Sequence, residues 1–127
     1  MNQRVALGLA ILAGFGLGAV AIQSLHAQAK PPVYYIGEND LTNPDGYAKE
    51  YLPHARELII AAGGRYVAAG KATALDGAPP ATRIVVLAFD NMEKLQAWRN
   101  SAEWKEHRKI GEKYAKFRAY AIDGTPQ

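Results

Sequence analysis

Gly63-Gly64-Arg65-Tyr66-Val67 separates two stretches of different hydrophobic period, and it fixes how the chain after Pro32 divides. Before it, Tyr47, Tyr51, His54, Leu58 and Ala62 recur at three- and four-residue spacing, the apolar stripe of a helix lying on a sheet. The glycine pair ends that helix, because the residue after a helix often takes a positive φ that glycine adopts cheaply. Beyond it, Arg65 to about Leu75 and Thr82 to Phe89 read as two strands joined through Asp76-Gly77-Ala78-Pro79-Pro80, a turn-rich connection that makes them a hairpin. Ile84 to Phe89 is apolar at every position, the mark of a central strand covered on both faces.

Working outward, Pro31-Pro32 forms a stiff junction before a strand over Val33 to Asn39. Asn43-Pro44 supplies an N-cap followed by proline at the first helical position, and Pro53 predicts a kink or two abutting helical segments. On the C-terminal side, Asp90 with Glu93 predicts a capping box opening a helix through Arg99. Ser101 with Glu103 opens a second helical run to about Tyr114, and Lys116 to Ile122 closes the domain as a strand. The order βαββαβ predicts an α+β, ferredoxin-like sandwich: an antiparallel sheet with its helices on one face. Such helices leave the second face of the two-sided strand uncovered, and a C₂ partner presenting the same surface would cover it.

The first 29 residues form an appendage to this domain. Arg4 is their only charged side chain, 18 apolar residues run from Val5 to Ile22, and Ala27 and Ala29 stand three and one before Lys30. That pattern predicts a signal peptide over residues 1–29 and a domain over residues 30–127 with its core at 33–124, exported to the periplasm or secreted. The alternative is an uncleaved membrane anchor over residues 5–22, a stretch slightly short of the roughly 20 apolar residues that span a bilayer comfortably.

Composition narrows the function classes. The chain holds 15 Lys and Arg; without Arg4 the domain keeps 14 against 12 Asp and Glu, a formal charge of +2. Its basic residues are interleaved with acidic ones, whereas nucleic-acid binding calls for a basic stripe. The chain has no cysteine, so the core stands without disulfides even in an oxidising compartment. His54 and His107 are far apart, His26 lies in the leader, and no His-x-x-x-His or acidic cluster occurs, so neither a metal nor a cofactor is predicted.

Among single residues, His54 is the first candidate for chemistry: it lies on the apolar stripe, which would turn it toward the sheet, and an imidazole moves protons near neutral pH. The competing assignment is a hydrogen-bonded core histidine. His107, beside Glu103, Lys105 and Glu106, reads as part of a solvated charged face. Arg108 follows Trp104 by four residues and Ser101 by seven, so the three can share one helix face, with Ser101 also the natural N-cap. Arg65 and Arg83 open the two hairpin strands, which puts them near opposite ends of the sheet, as ion-pair partners or at a pocket rim.

The run Gly63-Gly64-Arg65-Tyr66, then Asp76-Gly77 with Pro80, Arg83-Ile84-Val85-Val86 leading to Phe89, Trp98, and Ser101-Ala102-Glu103-Trp104 with Arg108 behind it, resembles the family of domain of unknown function 1330. That family usually has proline at the place of Ala102, tyrosine at that of Trp104 and an aromatic at that of Arg99. The resemblance implies a dimeric α+β barrel, with Ser101 and Arg108 among the marked positions. Its wider superfamily includes cofactor-independent monooxygenases, isomerases and haem enzymes, while this family carries no established reaction. The expectation is a homodimer binding a small organic molecule between sheet and helices, with Arg65, Arg83, Ser101, Trp104 and Arg108 as candidate ligand contacts. The alternatives are a cofactor-independent enzyme using His54 as acid or base, and a purely structural dimer.

Overall fold

A computed structural model describes residues 30–126, within which Pro31–Thr125 forms one compact unit containing the whole described core. Residues 1–29, read above as a leader or anchor, lie outside the described residues. A unit with its own core has what independent folding requires.

Four strands, β1 (Val33–Leu41), β2 (Arg65–Gly70), β3 (Arg83–Phe89) and β4 (Ala115–Asp123), pair antiparallel in the order β2-β3-β1-β4. The helices are α1 (Pro44–Gly46), α2 (Leu52–Ala61), α3 (Met92–Asn100) and α4 (Ala102–Gly111), with a π-helical stretch at Tyr47–Tyr51 between the first two. This is the βαββαβ sandwich the hydrophobic periods predict. Strand β2 stops at Gly70 rather than near Leu75, because Gly70 already pairs with Ile84, one residue from the start of β3. Among the described residues, none pairs as a strand with 71–75.

Register assigns the two faces. Tyr35 stands opposite Leu87 and Ala121, and Asn39 opposite Arg83 and Phe117. The same parity carries Val33, Val85 and Phe89, which are buried under the helices. The opposite parity carries Tyr34 between Ala88 and Ile122, Ile36 between Val86 and Tyr120, and Glu38 between Ile84 and Arg118.

Several caps are read directly from the sequence. Asn43 Oδ1 accepts from the Gly46 amide at 3.0 Å, and Ser101 Oγ accepts from the Trp104 amide at 3.2 Å. Gly63 takes φ +92° after α2, and a Cβ on Gly64 would lie 2.8 Å from both Ile59 Cγ2 and Phe89 Cζ, so helix and sheet meet closely there. The capping box at Asp90 is not formed: Asn91 caps α3, its side chain accepting from the Lys94 amide at 2.9 Å. Asp90 is drawn instead to Lys94 at 3.1 Å and Arg65 at 3.0 Å, whose hydrogen bonds, with their charges behind them, lower its pKa.

The largest departure concerns the first helix. Pro53 lacks an amide hydrogen, and just before it the Leu52 amide reaches the Tyr47 carbonyl, five residues back. A π turn takes about one residue more than an α turn, so the buried stripe moves one residue along. It runs Tyr47, Tyr51, Ala55, Ile59, in place of Tyr47, Tyr51, His54, Leu58.

Candidate functional site

The stripe formed in this way closes a small cavity between helices and sheet. Tyr47, Tyr51, Ala55 and Ile59 form one wall; Tyr35, Asn39, Val85 and Leu87 form the floor; Tyr66, Trp98, Trp104 and Arg108 complete the lining. Its free space is small, about 30 Å³ open to the centre of a water molecule. Since about 10–15 Å³ by this measure holds one water, the chamber as it stands admits a molecule of a few heavy atoms.

The aromatic rings hold one another in place. Trp98 meets Tyr35 edge-on at 5.1 Å, stacks on Phe89 at 5.3 Å and lies 4.5 Å from Trp104, all between ring centroids. Alternation along β1 gives Asn39 the inward parity of Val33 and Tyr35, and its buried amide donates to the Tyr47 hydroxyl at 3.1 Å. Arg108 Nη1 donates to the Tyr51 hydroxyl at 3.1 Å while its guanidinium lies 3.4 Å over the Phe117 ring. Burial pushes the Tyr51 phenol up to about 12, more than the adjacent Arg108 charge brings it down.

Two polar groups of the lining lack partners. Trp98 Nε1 and Trp104 Nε1 are buried and find no acceptor among the described residues; Arg83 Nε is in the same position just outside the lining. A buried donor left unpaired costs about 1–3 kcal/mol.

The structure brings only part of the candidate set to this chamber. Trp104 and Arg108 line it together, on one face of α4 as their spacing predicts. Arg83 points under the helices at the Asn39 end, 6.0 Å from the Tyr47 ring, while Arg65 stands at the other end of the sheet in its ion pair with Asp90. Ser101 is a cap, donating to the Trp98 carbonyl at 2.8 Å as well as receiving the Trp104 amide.

Both histidines depart from their expected environments. His54 was expected on the stripe; displaced from it by the π turn, its side chain is 56% exposed and pairs with Glu57 Oε2 at 3.2 Å. His107 was expected in solvent; it is buried, because Trp104, His107 and Gly111 form the inward stripe of α4. Its Nε2 lies 2.7 Å from the Tyr51 carbonyl, which can only accept, so that nitrogen carries the proton. The ring stacks on Tyr51 at 4.9 Å. Neither imidazole lines the cavity. No group of three His, Cys, Asp or Glu side chains that could hold a metal occurs among the described residues.

Tyr47, Tyr51, Asn39 and Trp98 were not singled out as ligand contacts in the sequence. Parity along β1 and the i, i+4 pair of tyrosines are the signals that point to the first three; Trp98 has only its being one of two tryptophans in the chain.

Fold and site together define a ferredoxin-like α+β domain with an aromatic chamber under its helices. The chain belongs to the family described as domain of unknown function (DUF1330), whose profile matches residues 32–125. No curated protein matches the sequence. Among solved structures it is similar to SnoaB, a cofactor-independent oxygenase from Streptomyces nogalater, at 6% identity and a TM-score of 0.58, covering 76% of this chain and 96% of that one. RPA0582, a protein of unknown function from Rhodopseudomonas palustris, is similar at 14% identity and a TM-score of 0.57, covering 83% of this chain and 92% of that one. A Bacillus halodurans protein of the ethyl tert-butyl ether d (EthD) family is similar at 15% identity and a TM-score of 0.55, covering 74% and 99%. At these identities the likeness concerns the fold.

Proposed function

We propose that this protein is an exported, homodimeric binding domain that holds a small organic molecule in the chamber between sheet and helices. The observation that carries the reading is the chamber itself: six aromatic side chains line free space between the helices and the sheet. Its lining offers no carboxylate and no imidazole, and the Tyr51 phenol is a poorer acid than a free one. A proton-transfer reaction of the kind considered for His54 therefore has no base at the chamber wall, which favours binding over turnover.

Dimerisation is supported by the sheet face away from the helices, where Ile36, Val86 and Tyr120 form one cross-strand row and Tyr34 and Ile122 flank the buried Ala88 in another, with Tyr120 and Ile122 exposed. Export is supported by the Ala27 and Ala29 spacing and the polar break after Ile22. The N-terminus of protein recovered from the producing cell then reads Lys30; a chain still beginning at Met1 and extracted only by detergent makes residues 5–22 an anchor.

Trp98 and Trp104 are the chain's only tryptophans, so intrinsic fluorescence reports on the chamber without a label. A screen of small aromatic and carboxylate compounds should give at least one saturable change, lost in Ala55→Phe, which fills the chamber. A fluorescence signal indifferent to every compound contradicts the reading.

A further inference from the structure

The chamber wall has acceptors in the Tyr47 and Tyr51 hydroxyls, but these are engaged by Asn39 and Arg108, and the polar groups left unpaired there are one-sided. The three buried side-chain nitrogens without partners among the described residues are all donors: Trp98 Nε1, Trp104 Nε1 and, at the Asn39 end, Arg83 Nε. Arg108 adds a guanidinium to the lining, held over Phe117 and spending one N–H on the Tyr51 hydroxyl. Against these, no carboxylate faces the space. An indole N–H donates and never accepts, so whatever satisfies Trp98 and Trp104 must bring lone pairs. Both tryptophans are only 3% exposed, so bulk water does not serve them.

We infer that the chamber is a site for a small carboxylate, its oxygens accepting from the Trp98 and Trp104 indoles beside the Arg108 charge. This rests on the proposed reading of the chamber as a ligand site and adds the chemical class of the ligand. Charge decides the sign: a lining with a permanent cation and no anion repels ammonium compounds and stabilises a monoanion. Shape decides the rest. The wall is mostly apolar, which suits a short hydrocarbon tail and disfavours a strongly hydrated dianion such as phosphate, and the free space of about 30 Å³ admits a molecule of acetate or propionate size without rearrangement. The tryptophans serve as donors from a rigid setting, since Trp98 is clamped between Tyr35, Phe89 and Trp104.

The two indole N–H groups give two signals in the proton–nitrogen NMR spectrum of the domain spanning residues 30–127, and each reports directly on the atom in question. Sodium propionate and sodium acetate are titrated against sodium chloride at matched ionic strength, with ethylammonium chloride as a donor-only control and benzene as an uncharged one. Both indole protons should move downfield and saturate with the carboxylates and stay in place with chloride and ethylammonium. Trp98→Phe and Trp104→Phe, which keep a ring and delete the donor, should each weaken propionate about tenfold or more, as should Arg108→Gln. Shifts that are linear and equal in chloride overturn the inference. So do indole protons that contact a resident water and respond to no salt. If benzene saturates the signals and the carboxylates do not, the chamber remains a ligand site and its anion preference is refuted; if nothing saturates them, both readings fall together.

Discussion

The two faces of the sheet are built from similar residues and meet different fates. On the helix face, Val33, Tyr35, Val85, Leu87 and Phe89 are buried by the chain's own helices. On the other, Tyr34, Ile36, Ile84 and Val86 are half-covered by their neighbours, and Tyr120 and Ile122 are 51% and 57% exposed. Glu38 and Arg118 pair at 2.5 Å in the third row of that face, and the Arg118 hydrogen bond holds Glu38 below the usual carboxylate range. Apolar rows ending in a charged row resemble an interface with a polar rim more than an ordinary solvated sheet face. A strand apolar at both parities requires cover on both sides, and here the helices supply only one.

The largest effect that separates the faces is a cavity cut into the covered one. Leu87 is fully buried on the cavity floor, so Leu87→Ala should cost about 2–5 kcal/mol, read as a lowered denaturation midpoint at fixed protein concentration. Ile122→Ala on the open face should change the stability of the single domain by no more than about 0.5 kcal/mol while making the melting temperature less dependent on concentration, because a weaker dimer stabilises the native state less. Equal costs at both positions would remove the distinction between the faces.

A smaller effect is confined to the covered face and depends on pH. The Tyr51 phenol is raised to about 12 in the folded chain, chiefly by burial, against about 10 unfolded. Its protonated form is thus favoured by folding. That contribution is whole below about pH 10 and disappears as pH rises through 12, a loss of about 2–3 kcal/mol. Denaturation between pH 9 and 12 should show a shallower decline for Tyr51→Phe than for the wild type. Parallel declines would mean that Tyr51 is not the buried phenol described.

These contrasts also show how far the sequence carries. Parity along β1 and the unbroken apolar run in β3 made both sheet faces legible, because a strand's period of two survives any packing. The caps at Asn43 and Ser101 and the turn at Gly63 were legible for the same local reason. His54 was not, since a single π turn ahead of Pro53 moves every later helical position by one residue, and the pattern fitted the unshifted helix equally well. His107 stood among charges in sequence while its helix turned it toward Tyr51. The chamber was legible least, because it depends on how rings from β1, β2, α3, α4 and the π turn stop short of filling the space between them. Spacing put Trp104 and Arg108 on one helix face, but nothing local says that Trp98 and Trp104 would both be left without acceptors among the described residues.

The central claim is that the chain covers one sheet face itself and leaves the other for a second copy. Sedimentation equilibrium of the domain spanning residues 30–127, at micromolar concentration, tests it most directly. The mass should be that of two chains, with an interface on the order of 1,600 Å², and Ile36→Lys, placed in the middle row of the open face, should return it to one. A wild-type domain that stays at the mass of a single chain would contradict the account, because the exposed Tyr120 and Ile122, with the half-covered Ile36 and Val86 beside them, would then face water.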